Sequence, residues 1–163
     1  MLSYLHLNSF KLYNLLLIII FSLLVNSNNG LDFINICLYS IYHFLIIYLG
    51  IYYYKKILFL IFFIYGLLTD IFLLNEIGPH LIIFLIFLLF ISFVKKFLEN
   101  LSSFKIYILI LILHIIIISL ENLISYIIFD YNIQLSYFVE IIIISLILSF
   151  PIFIFFSKID RIN

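Results

Sequence analysis

The stretch ILFLIFFIYGLLTDIFLL, residues 57–74, decides the fold class, because it is long and apolar enough to cross a bilayer. Apart from its apolar residues it contains only Tyr65, Thr69 and Asp70. A carboxylate at membrane depth costs about 2.5–3.5 kcal/mol on insertion scales. Asp70 is therefore predicted to mark a function or a binding partner.

The composition indicates an integral membrane protein. Of the 163 residues, 67% are hydrophobic and 10% are charged, and the mean hydropathy is +1.38. A soluble domain of this size cannot bury so much apolar surface. The net charge of zero gives no sign of nucleic-acid binding, and the single cysteine, Cys37, excludes an intrachain disulfide. We therefore predict an all-α, polytopic membrane protein.

Six apolar segments can be distinguished, each bounded by polar or turn-forming residues. The second is the weakest, because it contains Asp32, Asn35 and His43. No connection is long enough to hold a soluble domain, so residues 1–163 are predicted to form a single transmembrane domain. The predicted spans are about 10–26, 33–51, 57–74, 79–94, 104–129 and 136–156.

The basic residues predict the orientation of these six spans. With the N-terminus placed in the cytoplasm, all eight Lys and Arg residues fall on the cytoplasmic side, in agreement with the positive-inside rule. One span more or fewer would break this pattern, so both termini are predicted to be cytoplasmic. The basic residues are Lys11, Lys55, Lys56, Lys95, Lys96, Lys105, Lys158 and Arg161.

Polar residues at membrane depth define a candidate polar pocket. His114 and Glu121 are seven residues apart, so they share one face of the fifth span. Glu140 lies about one turn inside the sixth span and completes the candidate pocket, which Asp70 could approach at similar depth. Three interpretations stay open: a proton or ion relay, a pocket for a lipid headgroup or small ligand, and hydrogen bonding between helices.

Motifs of enzymes and metal sites are missing from the sequence. It contains no glycine-rich phosphate loop, no H-E-x-x-H and no G-x-S-x-G. The histidines, His6, His43, His80 and His114, have no ligand spacing. We therefore predict neither a metal site nor a cofactor, and we expect a protein that is not an enzyme.

Asp70 belongs to a short pattern of glycines. Gly66, Asp70 and Gly78 follow Gly-x3-Asp-x7-Gly, and Pro79 comes directly after Gly78. Glycine at helix depth permits close approach of two backbones, and proline is tolerated in the first turn of a helix. The pattern predicts a structural or interaction motif between the third and fourth spans.

Two further expectations concern single residues. Asp70 is expected to accept hydrogen bonds from Thr69, Tyr65 or loop amides, and so to lock the turn between the third and fourth spans. Pro151 lies within the sixth span, where it is expected to kink the helix or to end a hydrogen-bonded turn.

In these features the chain resembles MreD, the family of small rod shape-determining membrane proteins of bacteria. The resemblance rests on Gly66, Asp70 and Gly78 at the end of the third span and the start of the fourth, and on the chain length and span count. Pro151, shortly before a basic tail, also resembles the family's last span.

The resemblance implies a non-catalytic scaffold subunit of the bacterial cell-wall elongation complex, needed for rod shape and lateral peptidoglycan synthesis. It places the chain in the inner (plasma) membrane, in contact with membrane lipid. The implied partners are MreC, MreB, the RodA glycosyltransferase and a penicillin-binding transpeptidase. It also implies a fold similar to the substrate-binding membrane subunits of vitamin transporters, although a fold does not decide a function.

Two other functions stay open. In a transporter-type binding subunit, His114, Glu121 and Glu140 would line a pocket for a small molecule. A hydrophobic subunit of a proton-pumping respiratory complex is compatible with the composition. The lack of an intramembrane lysine counts against a relay across the membrane.

Overall fold

The computed structural model describes residues 2–27, 32–74, 78–98, 100–129 and 135–162. Within these residues the chain forms six α-helices, and the third continues into a π-helical turn. The helices are α1 (Leu2–Ser27), α2 (Asp32–Tyr52), α3 (Ile57–Thr69), the π-turn (Asp70–Leu74), α4 (Pro79–Leu98), α5 (Ser103–Phe129) and α6 (Leu135–Ile162).

The prediction of an all-helical chain is confirmed for the described residues, and several of its helices have the length and apolar composition of membrane-spanning segments. The helices α1, α2, α4, α5 and α6 are long and apolar enough to cross a membrane, whereas the third apolar helix, Ile57–Leu73, is shorter. No strand occurs in the ranges given above. With the π-turn counted as part of the third segment, the helix ends lie within one residue of the predicted segments, except that α1 begins at Leu2, α4 runs on to Leu98 and α6 runs on to Ile162.

The second helix lies at the centre of the bundle. Of its apolar stretch 67% is buried, against 17–33% for the other long helices, and it contacts α1, α4, α5 and α6. A helix surrounded by protein can carry polar side chains that a lipid-facing helix cannot. This position explains why the weakest apolar segment contains Ser40 and His43, both fully buried.

The outer helices carry apolar side chains on their exposed faces. Examples are Phe93 and Phe97 on α4, Phe104 on α5, and Ile147 and Phe150 on α6. A protein in water rarely exposes large continuous apolar patches, whereas lipid tails are as apolar as these side chains. The distribution therefore fits helices that contact lipid.

Three tyrosines close one end of the bundle around Asp160. Tyr13 donates a hydrogen bond to Oδ1 of Asp160 at 2.8 Å, and Tyr48 and Tyr53 donate to the same carboxylate. Burial, and then the neighbouring carboxylate, raise the pKa of Tyr53, so its hydroxyl stays a proton donor at neutral pH. The carboxylate thereby joins the end of α6 to α1 and to the end of α2.

We expect Asp160→Ala to lower the free energy of unfolding by about 1.5–3 kcal/mol, because three hydroxyls lose a charged acceptor. Tyr53→Phe removes only one donor and should cost about 1 kcal/mol. Unfolding of the detergent-solubilised protein by titration with a denaturing detergent measures both. If Asp160→Ala and Tyr53→Phe were equally stable, the hydrogen bonds of Tyr13 and Tyr48 to this carboxylate would not contribute to the stability.

Candidate functional site

The third helix changes its pitch at Asp70. There the α-helix gives way to the π-turn, Asp70–Leu74. A π-turn holds one residue more than an α-turn, and such turns are frequent at functional sites. The carboxylate of Asp70 lies beside the start of α4 and is fully buried.

The Asp70 carboxylate accepts four hydrogen bonds from the start of α4. Its Oδ2 accepts the backbone N–H groups of Gly78 and Leu81, both at 3.0 Å. Its Oδ1 accepts the backbone N–H of His80 at 3.0 Å and the ring Nδ1–H of His80 at 2.7 Å. The first N–H groups of a helix lack partners within it, and its N-terminus favours negative charge. Asp70 therefore caps α4 from the end of the preceding helix.

Gly66 explains how the two helices come so close. A Cβ atom on Gly66 would lie 2.7 Å from Cα of Leu81 and 3.2 Å from the backbone oxygen of His80. Only glycine lets α3 meet the backbone of α4 at this distance. Pro79 is the first residue of α4 and is buried, at a position where its missing N–H leaves no helical hydrogen bond unmade.

The donors to Asp70 are in part those expected from the sequence. Amides at the start of α4 supply three of them, and the ring of His80 supplies the fourth. Thr69 instead donates to the backbone oxygen of Tyr65 at 2.6 Å and shares a hydrogen bond with the hydroxyl of Tyr42 at 2.8 Å. Residues 75–77 of the glycine pattern lie outside the described residues.

The other side of the His80 ring faces Glu121. The carboxylate of Glu121 lies with Oε1 2.9 Å from Nε2 of His43, and its Oε2 accepts the hydroxyl of Tyr39 at 2.7 Å. Nε2 of His80 lies 3.1 Å from that hydroxyl and 4.0 Å from Oε2. The five residues Tyr39, His43, Asp70, His80 and Glu121 are called the polar cluster below.

Both histidine rings of the polar cluster are held through Nδ1. Nδ1 of His43 lies 2.9 Å from the backbone oxygen of Tyr39, and Nδ1 of His80 lies 2.7 Å from Asp70. A carbonyl and a carboxylate only accept hydrogen bonds, so both Nδ1 atoms carry a proton. The two Nε2 atoms are consequently directed at the Glu121 side of the cluster.

The polar cluster joins four segments of the fold, namely α2, the π-turn, α4 and α5. The side chains of His43, Asp70, His80 and Glu121 are between 0% and 5% exposed. Such a site can hold protons or a small cation. It does not offer a surface to a large substrate unless the helices separate.

His114 belongs to a group next to the polar cluster. Its Nε2 lies 2.8 Å from Oγ of Ser145, which links α5 to α6. Its ring stacks on Phe44 with 4.0 Å between the centroids and lies 6.1 Å from the ring of His43. Its Nδ1 is buried and has no hydrogen-bond partner in the described part of the chain.

Comparison with known proteins finds no family model, no curated protein and no solved structure that matches this chain.

Two of the predicted site residues lie apart from the polar cluster. Glu140 occupies an exposed position on α6, whereas Ile141, the next residue, is buried. Pro151 is also exposed, and α6 continues past it to Ile162, so the helix does not end there. The structure brings His114 and Glu121 to His43 and leaves Glu140 exposed.

Tyr39 and His80 are functional candidates that the sequence alone does not reveal. Tyr39 and His43 are four residues apart, so the sequence does place them on one face of α2. His80 follows Gly78 and Pro79 directly. Their meeting with Glu121 depends on long-range packing, which no local spacing records.

Proposed function

We propose that this chain is a non-catalytic, six-span scaffold subunit of a bacterial cell-wall elongation complex, similar to MreD proteins. The observation that supports the proposal best is the close contact of α3 and Asp70 with the start of α4. Gly66, Asp70 and Gly78, the residues on which the resemblance rests, all take part in it. A motif whose residues together hold two helices in contact fits a scaffold better than a catalyst.

The proposed orientation places both termini in the cytoplasm. It rests on the eight basic residues, which fall on one side when the helices are followed in order. The turn closed by Asp70 then lies near the outer surface of the plasma membrane. The short third helix counts as a span in this arrangement, because about 17 apolar residues reach across a thin bilayer.

The proposed mechanism is the presentation of a rigid helical surface. The connections between the helices are short, so a partner meets the chain within the membrane or at its surface. The capped start of α4 fixes the position of that helix against α3. A partner's transmembrane helix can then pack on the exposed apolar faces, through van der Waals contacts. The proposed partners are MreC, MreB, RodA and a penicillin-binding transpeptidase.

Affinity purification of the tagged chain from native membranes in mild detergent tests this proposal. We expect mass spectrometry to identify MreC, RodA and the transpeptidase with the unmodified chain. Asp70→Asn should reduce their recovery at equal membrane levels of the bait, because two of the four donors would then face an amide NH2 group.

Glu140→Gln is the matched control, because it neutralises an exposed carboxylate. It should recover the same partners as the unmodified chain. Recovery of an ATPase pair would instead favour the transporter-type binding subunit, and recovery of redox subunits would favour the respiratory complex. Either result would contradict the scaffold proposal.

A further inference from the structure

The polar cluster contains a set of atoms that could ligate a metal ion. One nitrogen of His43, one nitrogen of His80 and a carboxylate oxygen of Glu121 all lie within 4.8 Å of one another. Nitrogen and oxygen ligands at about 2.0–2.2 Å from a zinc ion are themselves about 3.3–3.6 Å apart. Nε2 of His43 lies 2.9 Å from Oε1 of Glu121 and Nε2 of His80 lies 4.0 Å from Oε2, so the three side chains already lie close to the spacing that a zinc ion requires.

The groups behind the two histidines have the arrangement that metal sites require. A metal-ligating histidine usually donates its other N–H to a carboxylate or a backbone carbonyl, which fixes the ring and raises its basicity. His80 donates to Asp70 in this way, and His43 donates to the backbone oxygen of Tyr39. Both Nε2 atoms are thereby left as ligand atoms that face Glu121.

The charges of the polar cluster also favour the binding of a cation. Asp70 and Glu121 are two buried carboxylates, and their described ion-pair partners are the histidines. A divalent cation bound among these side chains would balance the charges of the two carboxylates. An unpaired buried charge would be expensive.

We propose that His43, His80 and Glu121 bind one divalent transition-metal ion of the zinc class. The hydroxyl of Tyr39 lies beside both His80 and Glu121 and is positioned for the fourth place around the ion. Two imidazoles with one carboxylate suit zinc better than Mg2+ or Ca2+, which prefer oxygen ligands alone. Because the ligands are buried, the ion has a structural role and fastens α2 and α4 to α5.

Metal analysis of the isolated full-length chain tests the site. After treatment with a chelator and addition of Zn2+, we expect about one zinc ion per chain and a higher Tm. Mg2+ at the same concentration should not raise the Tm. Glu121→Gln should weaken zinc binding about 100-fold or more, since loss of an outer partner alone costs about 10–100-fold. Glu140→Gln, which alters an exposed carboxylate, should bind as the unmodified chain does.

X-ray absorption at the zinc edge gives a result that needs no variant. We expect two imidazole ligands in the unmodified chain, and fewer than two would overturn the proposal. Failure of the folded chain to take up zinc, or equal binding by Glu121→Gln and Glu140→Gln, would overturn it as well. These measurements use the isolated chain, so their outcome is independent of the partners recovered in the test of the proposed function.

Discussion

Replacing Asp70 with alanine should lower the free energy of unfolding by about 3–5 kcal/mol, the range measured when one partner of a buried charged pair is removed. The variant leaves three backbone N–H groups and the His80 ring without their acceptor. Those groups lie at a buried helix start, where water cannot fully replace the carboxylate. Titration of the detergent-solubilised protein with a denaturing detergent measures the change.

Asp70→Asn should fall between the alanine variant and the unmodified chain. An asparagine keeps one oxygen, which can still accept two donors, and turns its NH2 group toward the other two. Glu140→Ala is the control, because removal of an exposed carboxylate should change the stability by about 0.5 kcal/mol or less. An Asp70→Ala variant as stable as this control would show that the cap does not hold α3 to α4.

Gly66→Ala should destabilise the protein by about 2–3 kcal/mol, although alanine normally favours a helix by about 1 kcal/mol over glycine. The added Cβ would lie 2.7 Å from Cα of Leu81 and 3.0 Å from its backbone nitrogen. These are backbone atoms, which cannot turn aside as a side chain can. The same nitrogen donates to Asp70, so moving it also weakens the cap.

Gly50→Ala is the matched comparison for this prediction. Its Cβ would meet the ring of Phe87, with the nearest atom at 2.5 Å, and a ring can move where a backbone cannot. We expect a smaller loss of stability than for Gly66→Ala. A double-mutant cycle of Gly66→Ala with Asp70→Ala should also be non-additive, because both act on Leu81. A gain of stability in Gly66→Ala would contradict the close approach of the two helices.

The fold class could be predicted from the sequence because lipid imposes a simple length rule on apolar segments. The predicted span 104–129 agrees with α5, Ser103–Phe129, to within one residue. The π-turn does not, because Ile71–Leu74 has the same apolar composition as an ordinary helical turn. The polar residues of the second segment, which make it the weakest apolar segment, were a signal of its central position. The most buried helix is the one that can hold a polar side chain such as His43.

The candidate site was predictable only where its residues were near in sequence. Gly66, Asp70 and Gly78 are close in sequence, at the end of one helix and just before the next. Their structural role could therefore be expected. The link from Asp70 through His80 to Glu121 joins residues from different helices. No signal in the sequence directs a histidine on one helix to a carboxylate 41 residues away, and for the same reason His43, His80 and Glu121 show no metal-ligand spacing.

The π-turn, Asp70–Leu74, holds one residue more than an α-helical turn would. Its first residue, Asp70, accepts the backbone N–H of Gly78 at 3.0 Å, so we expect this hydrogen bond to depend on the number of residues in the π-turn. In a library that varies both the number and the kind of residues at 71–73, the variants that fold should keep the parental length. Their apolar side chains can differ freely. Insertions and deletions in this segment should therefore destabilise the protein more than exchanges of one apolar residue for another.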